Sequence, residues 1–346
     1  MKLVMTLLVR DEADIVDAQI AYHLDAGVDF VIATDNRSED GTTEILERYA
    51  RDGVLHLIRE PGDDLRQSEW VTRMARLAAT DFGADWILNS DADEFWHARG
   101  ASLAEALAAV PGRFGAVRGA WRNFVPRPDD GQFFAEHMTA RLCTPSFHPH
   151  PLSIHFKSAH RAWPGVRIGR GNHEALAEGL VALRGWYPIE ILHFPVRSFE
   201  QCRRKYVTQF VALERNAEKG IPGHMAEAYD AYRAGALDSY YAPLVVSDDA
   251  LAVGISDGTY AVDTRLRDRL RSLGFGDTGR GSVRDGTPEV PSVADAAAFA
   301  AEYSSLGEAD LGLSFGERVA ELEARLARLE RGPAARARRL VGGRRS

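Results

Sequence analysis

A chain of 346 residues that is 45% hydrophobic and 27% charged has ordinary globular composition, enough for one large α/β domain with additions or for two domains. A formal charge of −8 argues against nucleic acid as the main partner, and no apolar stretch reaches bilayer-spanning length. Two cysteines, Cys143 and Cys202, are too few for a disulfide framework or a cysteine metal site, so a cytoplasmic protein is expected.

The first hundred residues alternate strand and helix patterns. Residues 2–9 read as a strand; Arg10, Asp11 and Glu12 cut this apolar run short, which makes it a core strand rather than a leader. An amphipathic helix over 13–26 stops before Gly27, a second strand covers 30–34, and a polar loop runs from Asp35 to Gly41. A helix over 42–51, a strand over 54–59, a helix over 67–80 and an apolar strand over 86–88 follow. This β-α-β-α-β-α-β order predicts a mainly parallel, Rossmann-like sheet with helices on both faces.

Beyond Asp93 the rhythm changes. Ser102 caps a short helix to 109, and 115–121 reads as a strand. Residues 126–131 and 144–151 read as loops, 189–194 as a short strand, and Ser198 opens a long helix to about 219. Helices are expected near 225–234 and 264–273, followed by a Gly/Asp/Thr-rich stretch from 274 to 291. Phe315, Val319, Leu322, Leu326 and Leu329 then form a heptad seam before Pro333. The last residues carry Arg336, Arg338, Arg339, Arg344 and Arg345 and no acid. This helix and tail suggest oligomerisation or contact with an anionic membrane surface. The plainer reading is a packed helix with a solvated end.

The chemistry concentrates in Asp91-Ala92-Asp93-Glu94, directly after the apolar strand. Crowded carboxylates repel one another unless a cation lies between them. Oxygen ligands favour a hard divalent ion, Mg²⁺ or Mn²⁺, which keeps coordination positions for substrate phosphates. In an open α/β sheet, ligands bind at the carboxyl ends of the strands. Val9-Arg10-Asp11-Glu12 closes the first strand there, and Thr34-Asp35-Asn36-Arg37-Ser38-Glu39-Asp40-Gly41-Thr42 closes the second.

Taken together, these three segments resemble a family 2 type glycosyltransferase with the GT-A (nucleotide-diphospho-sugar transferase) fold, in the subgroup whose acidic motif reads Asp-x-Asp-Glu-Phe. The resemblance is good over 1–97, looser to about 210, and absent from the C-terminal third. It implies a GT-A domain over 1–220, with 1–97 as the nucleotide-binding half and 98–220 as the acceptor half. A mostly helical C-terminal extension over 221–316 and the heptad helix with its arginine tail over 317–346 follow. It also implies transfer of a sugar from a nucleoside-diphosphate sugar, UDP-linked, to a glycan or lipid-linked acceptor, by an inverting route, in polysaccharide biosynthesis at or near the inner face of the cell membrane.

Carried over residue by residue, the resemblance makes Asp35 the partner of the pyrimidine base and places Arg10 and Glu12 at the nucleotide. Ser38, Asp40 and Gly41 suit a structural turn. Arg66, Trp70 and Arg73 share one helix face that could meet base or phosphate, and Gln67 matches a recurring position. Asp93 is implied as a direct metal ligand, with Asp91 on the metal or ribose and His193 as the downstream ligand. Lys205 is implied at the diphosphate. The catalytic base is expected at Glu174, beside His173, with Asp130 as runner-up. His148, His150, His155 and His160 suggest a polar acceptor channel. Two other readings share the architecture: a sugar-nucleotide nucleotidyltransferase, which needs a Gly-rich phosphate loop after strand one, and a non-catalytic nucleotide-sugar-binding module.

Overall fold

A computed structural model describes residues 1–62, 66–143, 146–147, 150–154, 156–215 and 225–276, with single positions or short runs at 304, 306–308 and 310–311. The chain divides into two compact units, Met1–Glu289 and Val290–Ser346. The heptad seam, the arginine tail and residues 277–291 lie outside the described residues.

Strands β1 (Leu3–Val9), β2 (Phe30–Asp35), β3 (Leu55–Arg59) and β4 (Trp86–Asp91) alternate with helices α1 (Val16–Asp25), α2 (Thr42–Arg51) and α3 (Gln67–Thr80). Next come β5 (Glu94–Ala98), α4 (Leu103–Ala108), β6 (Ala116–Asn123), α5 (Phe134–His137), β7 (Ala140–Leu142), β8 (Ser146–Phe147), β9 (His150–Ile154) and β10 (Phe156–Arg161). The short strands β11 (Arg167–Ile168), β12 (Ala175–Leu176) and β13 (Ala182–Leu183) precede β14 (Ile189–His193) and the long helix α6 (Phe199–Arg215). Helices α7 (Ala226–Ala234), α8 (Leu237–Tyr241) and α9 (Asp248–Ser256), strand β15 (Tyr260–Val262) and helix α10 (Arg265–Ser272) complete the first unit's described elements. Among the described residues no helix is long and apolar enough to cross a membrane.

The central sheet is ordered β3-β2-β1-β4-β10-β6-β14-β5, with β13 also on β6. It is mainly parallel: β2 pairs with β1 and β3, β1 with β4, and β6 with β13 and β14. Strand β10 enters antiparallel between β4 and β6, and β5 runs antiparallel to β14 at the edge. The two-residue period of β1 explains the layers. Leu3, Met5 and Leu7 pack with Val16 and Ile20 of α1 and Leu46 of α2, whereas Val4 packs with Val71, Met74 and Ala75 of α3. Each fully buried side chain of this size contributes about 1.5–3 kcal/mol. The α/β architecture with helices on both faces is as expected.

Four details differ from the sequence reading. Strand β4 runs three residues beyond the apolar 86–88 segment, because its polar side chains are satisfied inside the sheet. Asn89 Oδ1 accepts from Thr6 Oγ1 at 2.8 Å, and Ser90 Oγ donates to Glu94 O at 3.3 Å. Residues 94–98 form a strand, since Phe95 and Trp96 are fully buried in the core. The expected loop over 144–151 contains paired strand residues of β8 and β9. Strand β10 has no apolar period to betray it: Lys157, Ser158 and His160 are all buried.

A buried histidine ties α1 to β5. His23 Nδ1 hydrogen-bonds Gln19 O at 2.7 Å, and its Nε2 accepts the Trp96 N–H at 3.0 Å. Only the neutral imidazole protonated at Nδ1 serves both partners, and burial lowers the pKa from 6.5 to about 4. A depressed histidine pKa stabilises the fold above the unfolded value and loses that contribution as pH falls from about 6.5 through about 4. His23→Gln, whose amide can donate to Gln19 O and accept from Trp96, should remove about one proton from the pH dependence. That is up to about 1.4 kcal/mol per pH unit in urea-unfolding stability between pH 6 and 4.5; an unchanged slope would contradict the neutral-imidazole account.

Candidate functional site

The carboxyl ends of β1, β2 and β4 open into a cleft of 470 Å³. Arg10, Asp11, Glu12 and Asn36 line one side of it, with Gln67 and Trp70 from α3. Asp91, Asp93, Lys157, His193 and Lys205 stand on the wall as well, together with Trp121 and Asn123 at the end of β6.

The loop after β2 builds the turn after β1. Ser38 Oγ accepts the Asp11 N–H at 3.0 Å, Thr42 Oγ1 accepts that of Glu12 at 2.9 Å, and Asp40 Oδ2 accepts that of Ala13 at 3.0 Å. Three successive N–H groups before α1 are thereby satisfied by side chains from one loop. Gly41 permits the bend, with φ at 102°. Asp35 belongs to the same clasp: Oδ1 accepts the Ser38 N–H at 3.0 Å and Oδ2 the Thr43 hydroxyl at 2.5 Å. It is buried and lies behind the cleft wall, not on it.

The acid motif sits between two lysines. Lys157 Nζ lies 2.6 Å from Asp91 Oδ2 and 2.9 Å from Glu94 Oε1, and Asn172 Nδ2 donates to Asp91 Oδ1 at 3.0 Å. Burial alone would lower the Lys157 pKa, but the Asp91 and Glu94 carboxylates outweigh it and hold the ammonium above its usual value. Lys205 Nζ meets Asp93 Oδ2 at 2.8 Å. Burial works to raise the Asp93 pKa, yet Lys205, His193 and Arg197 overcome it and keep the carboxylate ionised. Glu94 is wholly buried, its Oε1 accepting Trp121 Nε1–H at 3.0 Å and its Oε2 the Asp91 N–H at 3.2 Å.

Sheet register brings His193 to Asp93. In β14, His193 is opposite Glu94 of β5 and beside Asn123 of β6, and the Phe194 N–H donates to Asp93 O at 2.8 Å. The His193 ring stacks on Trp121 at 4.0 Å between centroids, and its Nδ1 bonds Asn123 Oδ1 at 2.7 Å. That bond places the proton on Nδ1 and leaves Nε2 as the basic nitrogen, 3.9 Å from Asp93 Oδ1. Asp93, Glu94 and His193 bring potential ligand atoms within 4.8 Å of one another. With Glu94 committed to Trp121 and Lys157, a carboxylate oxygen of Asp93 and the imidazole nitrogen of His193 are the donors that fit a divalent ion. Such a mixed O/N pair suits Mn²⁺ or Mg²⁺ with further positions left for phosphate oxygens and water.

Of the residues singled out from the sequence, the structure gathers Arg10, Glu12, Gln67, Asp91, Asp93, His193 and Lys205 on one wall. Gln67 Oε1 accepts the Gly171 N–H at 3.2 Å, and Arg10 Nη1 donates to Asn36 Oδ1 at 3.4 Å. Arg66 and Arg73 lie off the wall, half-exposed, paired with Glu69 and Glu60 respectively. The two base candidates also lie away from it. Asp130 is exposed and turns back on Gln132, and Glu174 packs against Gly169, so its neighbour His173 reaches the cleft instead. His160 is fully buried with Nδ1 on Arg161 O, which makes it a core residue; His148 and His155 lie outside the described residues.

Lys157, Arg197, Trp121 and Asn172 are site residues that pattern reading passed over. Arg197 is buried and donates to Glu12 Oε2 at 2.5 Å, to both Asp14 oxygens and to Phe194 O. Burial pushes the Glu12 carboxyl up to about 7 against the pull of Arg197. A lysine inside a sheet strand is a signal in retrospect, since a buried ammonium requires carboxylate partners.

No protein-family model and no curated protein matches the chain. Similar solved structures include residues 1–349 of S. aureus TarS in complex with UDP-GlcNAc, at 15% identity and TM-score 0.30, covering 47% of this chain and 46% of that one. A second structure of the same TarS fragment gives 13% identity and TM-score 0.34 over 60% of this chain and 65% of that one. Glucosyl-3-phosphoglycerate synthase from Mycobacterium tuberculosis, in complex with Mn²⁺, UDP and phosphoglyceric acid, gives 18% identity and TM-score 0.25 over 37% and 44%. The chain thus spans less than two thirds of each of these structures.

Removing Lys157 tests the charge pairing. Lys157→Met leaves Asp91 and Glu94 without their buried cation and should cost about 3–5 kcal/mol at pH 7. The deficit should shrink toward pH 5 as the orphaned carboxyls take up protons, read by chemical unfolding at both pH values. A pH-independent deficit would mean that lost packing, not uncompensated charge, is responsible.

Proposed function

We propose that this chain is a metal-dependent glycosyltransferase of the GT-A type, related to family 2, taking a UDP-linked sugar as donor. The observation that carries the reading is Asp93 and His193 facing each other across 3.9 Å in the cleft at the strands' carboxyl ends, flanked by Lys205. Donors of this kind beside a basic side chain are suited to a diphosphate and its counter-ion.

Asp93 and His193 would hold Mn²⁺ or Mg²⁺, with Asp91 turned toward the ribose. The ion supplies Lewis-acid stabilisation of the diphosphate leaving group, whose charge grows in the transition state. Lys205, paired with Asp93 at 2.8 Å, would donate to a diphosphate bound there, and Arg204 also lines the cleft. Arg10, Asn36, Gln67 and Trp70 form the nucleoside end, and Asp35 supports that end by holding the clasp rather than by reaching the base. A proton must leave the acceptor hydroxyl, and of the carboxylates lining the cleft we assign that role to Glu12, which is held by Arg197 and whose pKa burial raises to about 7. Glu174 and Asp130 serve this step less well because both lie off the wall. The nucleotidyltransferase reading is disfavoured by the turn after β1, where Arg10-Asp11-Glu12 stands in place of a Gly-rich phosphate loop.

The reading is tested by thermal denaturation with a panel of nucleoside diphosphates, with and without Mn²⁺. UDP should raise the midpoint by several degrees only when Mn²⁺ is present, and Asp93→Asn or His193→Ala should abolish that increment. No nucleotide response, or an Asp93→Asn protein that keeps the full increment, would overturn it. Glu12→Gln should lower kcat by about 10²–10⁴-fold with donor KM within threefold of wild type; unchanged turnover would remove Glu12 as the proton acceptor.

A further inference from the structure

Part of the cleft lining, here called the apolar lobe, differs in chemistry from the residues around Asp93. Past Asn123 the lining includes Phe124, Val125 and Pro126, and Tyr206 of α6, Tyr240 of α8 and Leu244 line the same cleft. Phe124, Val125 and Pro126 are buried in the fold, whereas Tyr206, Tyr240 and Leu244 are partly open. Three of the polar side chains at this end already have partners. Tyr206 and Tyr240 share a hydroxyl–hydroxyl contact of 3.2 Å, and the Gln201 amide accepts from Arg197 N at 3.1 Å and donates to Pro195 O at 3.5 Å. Thr208 and Gln209 of α6 add polar groups at its edge.

A glycan surface placed here would bury several hydroxyls against aliphatic and aromatic walls, at a cost of about tenfold in affinity for each one left unpaired. An apolar group meets no such penalty and gains from leaving water. We infer that the acceptor carries an apolar aglycone, a chain or an aromatic ring, which occupies the lobe between Val125–Pro126 and Tyr240–Leu244. Its hydroxyl-bearing end then points toward Asp93. This rests on the transferase reading and narrows its acceptor to hydroxyl compounds with an apolar part, rather than free polar oligosaccharides.

The test is binding of methyl, octyl and p-nitrophenyl β-D-glucopyranosides by titration calorimetry, below micelle concentration, with and without UDP and Mn²⁺. The octyl or p-nitrophenyl compound should bind at least tenfold more tightly than the methyl compound, and the better of the two tells chain from ring. Leu244→Gln, which keeps volume and adds an amide, should reduce that preference at least fivefold while the UDP–Mn²⁺ increment persists as a check on folding. Tyr240→Ala, a second variant, should act in the same direction. Equal affinity for the three glucosides in a protein that responds to UDP and Mn²⁺ overturns the apolar lobe alone. So does a preference that neither variant changes. Preference for an apolar glucoside without any UDP–Mn²⁺ response keeps the lobe and overturns the transferase reading instead.

Discussion

Buried negative charge is the constraint on which this cleft depends. Asp91, Asp93 and Glu94 follow one another at the end of a central strand, and Glu94 is wholly enclosed. Carboxylates in such surroundings must be paired or neutralised. Lys157 answers Asp91 and Glu94 from the neighbouring strand, Lys205 answers Asp93 from a helix, and Arg197 joins Glu12 and Asp14 below them. Each cation comes from a segment remote in sequence, so the charge pairing also pins the second half of the domain onto the first.

Those cations divide into two kinds. Lys157 is almost completely enclosed and touches two carboxylates, so it belongs to the framework. Lys205 is about a third exposed and touches one, so an anionic ligand can draw it away and leave Asp93 available. The same contrast separates Glu94, saturated by Trp121, Lys157 and a backbone N–H, from Asp93, which faces the His193 nitrogen. A motif of three neighbouring acids therefore contains one structural carboxylate and one suited to a metal. Tertiary surroundings sort them.

The clasp after β2 shows a second division of labour. Its Asp-x-x-Ser-x-Asp-Gly-Thr pattern is a turn whose side chains hold the backbone of the opposite loop, which shapes this part of the cleft indirectly. Asp35 is part of that scaffold in this structure, although the pattern alone invites a ligand role. Arg66 and Arg73 share a helix face with Trp70 by spacing, yet only Trp70 reaches the cleft, because both arginines find acidic partners outside it.

The β-α repeat of the first half, the clasp loop and the position of the acid motif at a strand end are legible in the amino-acid order alone. Those features are local: a two-residue or helical period, a glycine where φ is positive, polar residues where an apolar run stops. The same order also marks His193 as ending an apolar strand before a long helix. That β10 and β5 belong to the sheet emerges only from the folded chain, because their buried Lys157, His160 and Glu94 break any apolar period. Only the structure set Asp130 and Glu174 away from the cleft and brought Lys157 and Arg197 into the site. The physical reason is range: a period is written in neighbouring residues, but the partner that makes a buried charge tolerable is chosen by strand order and register across the whole domain.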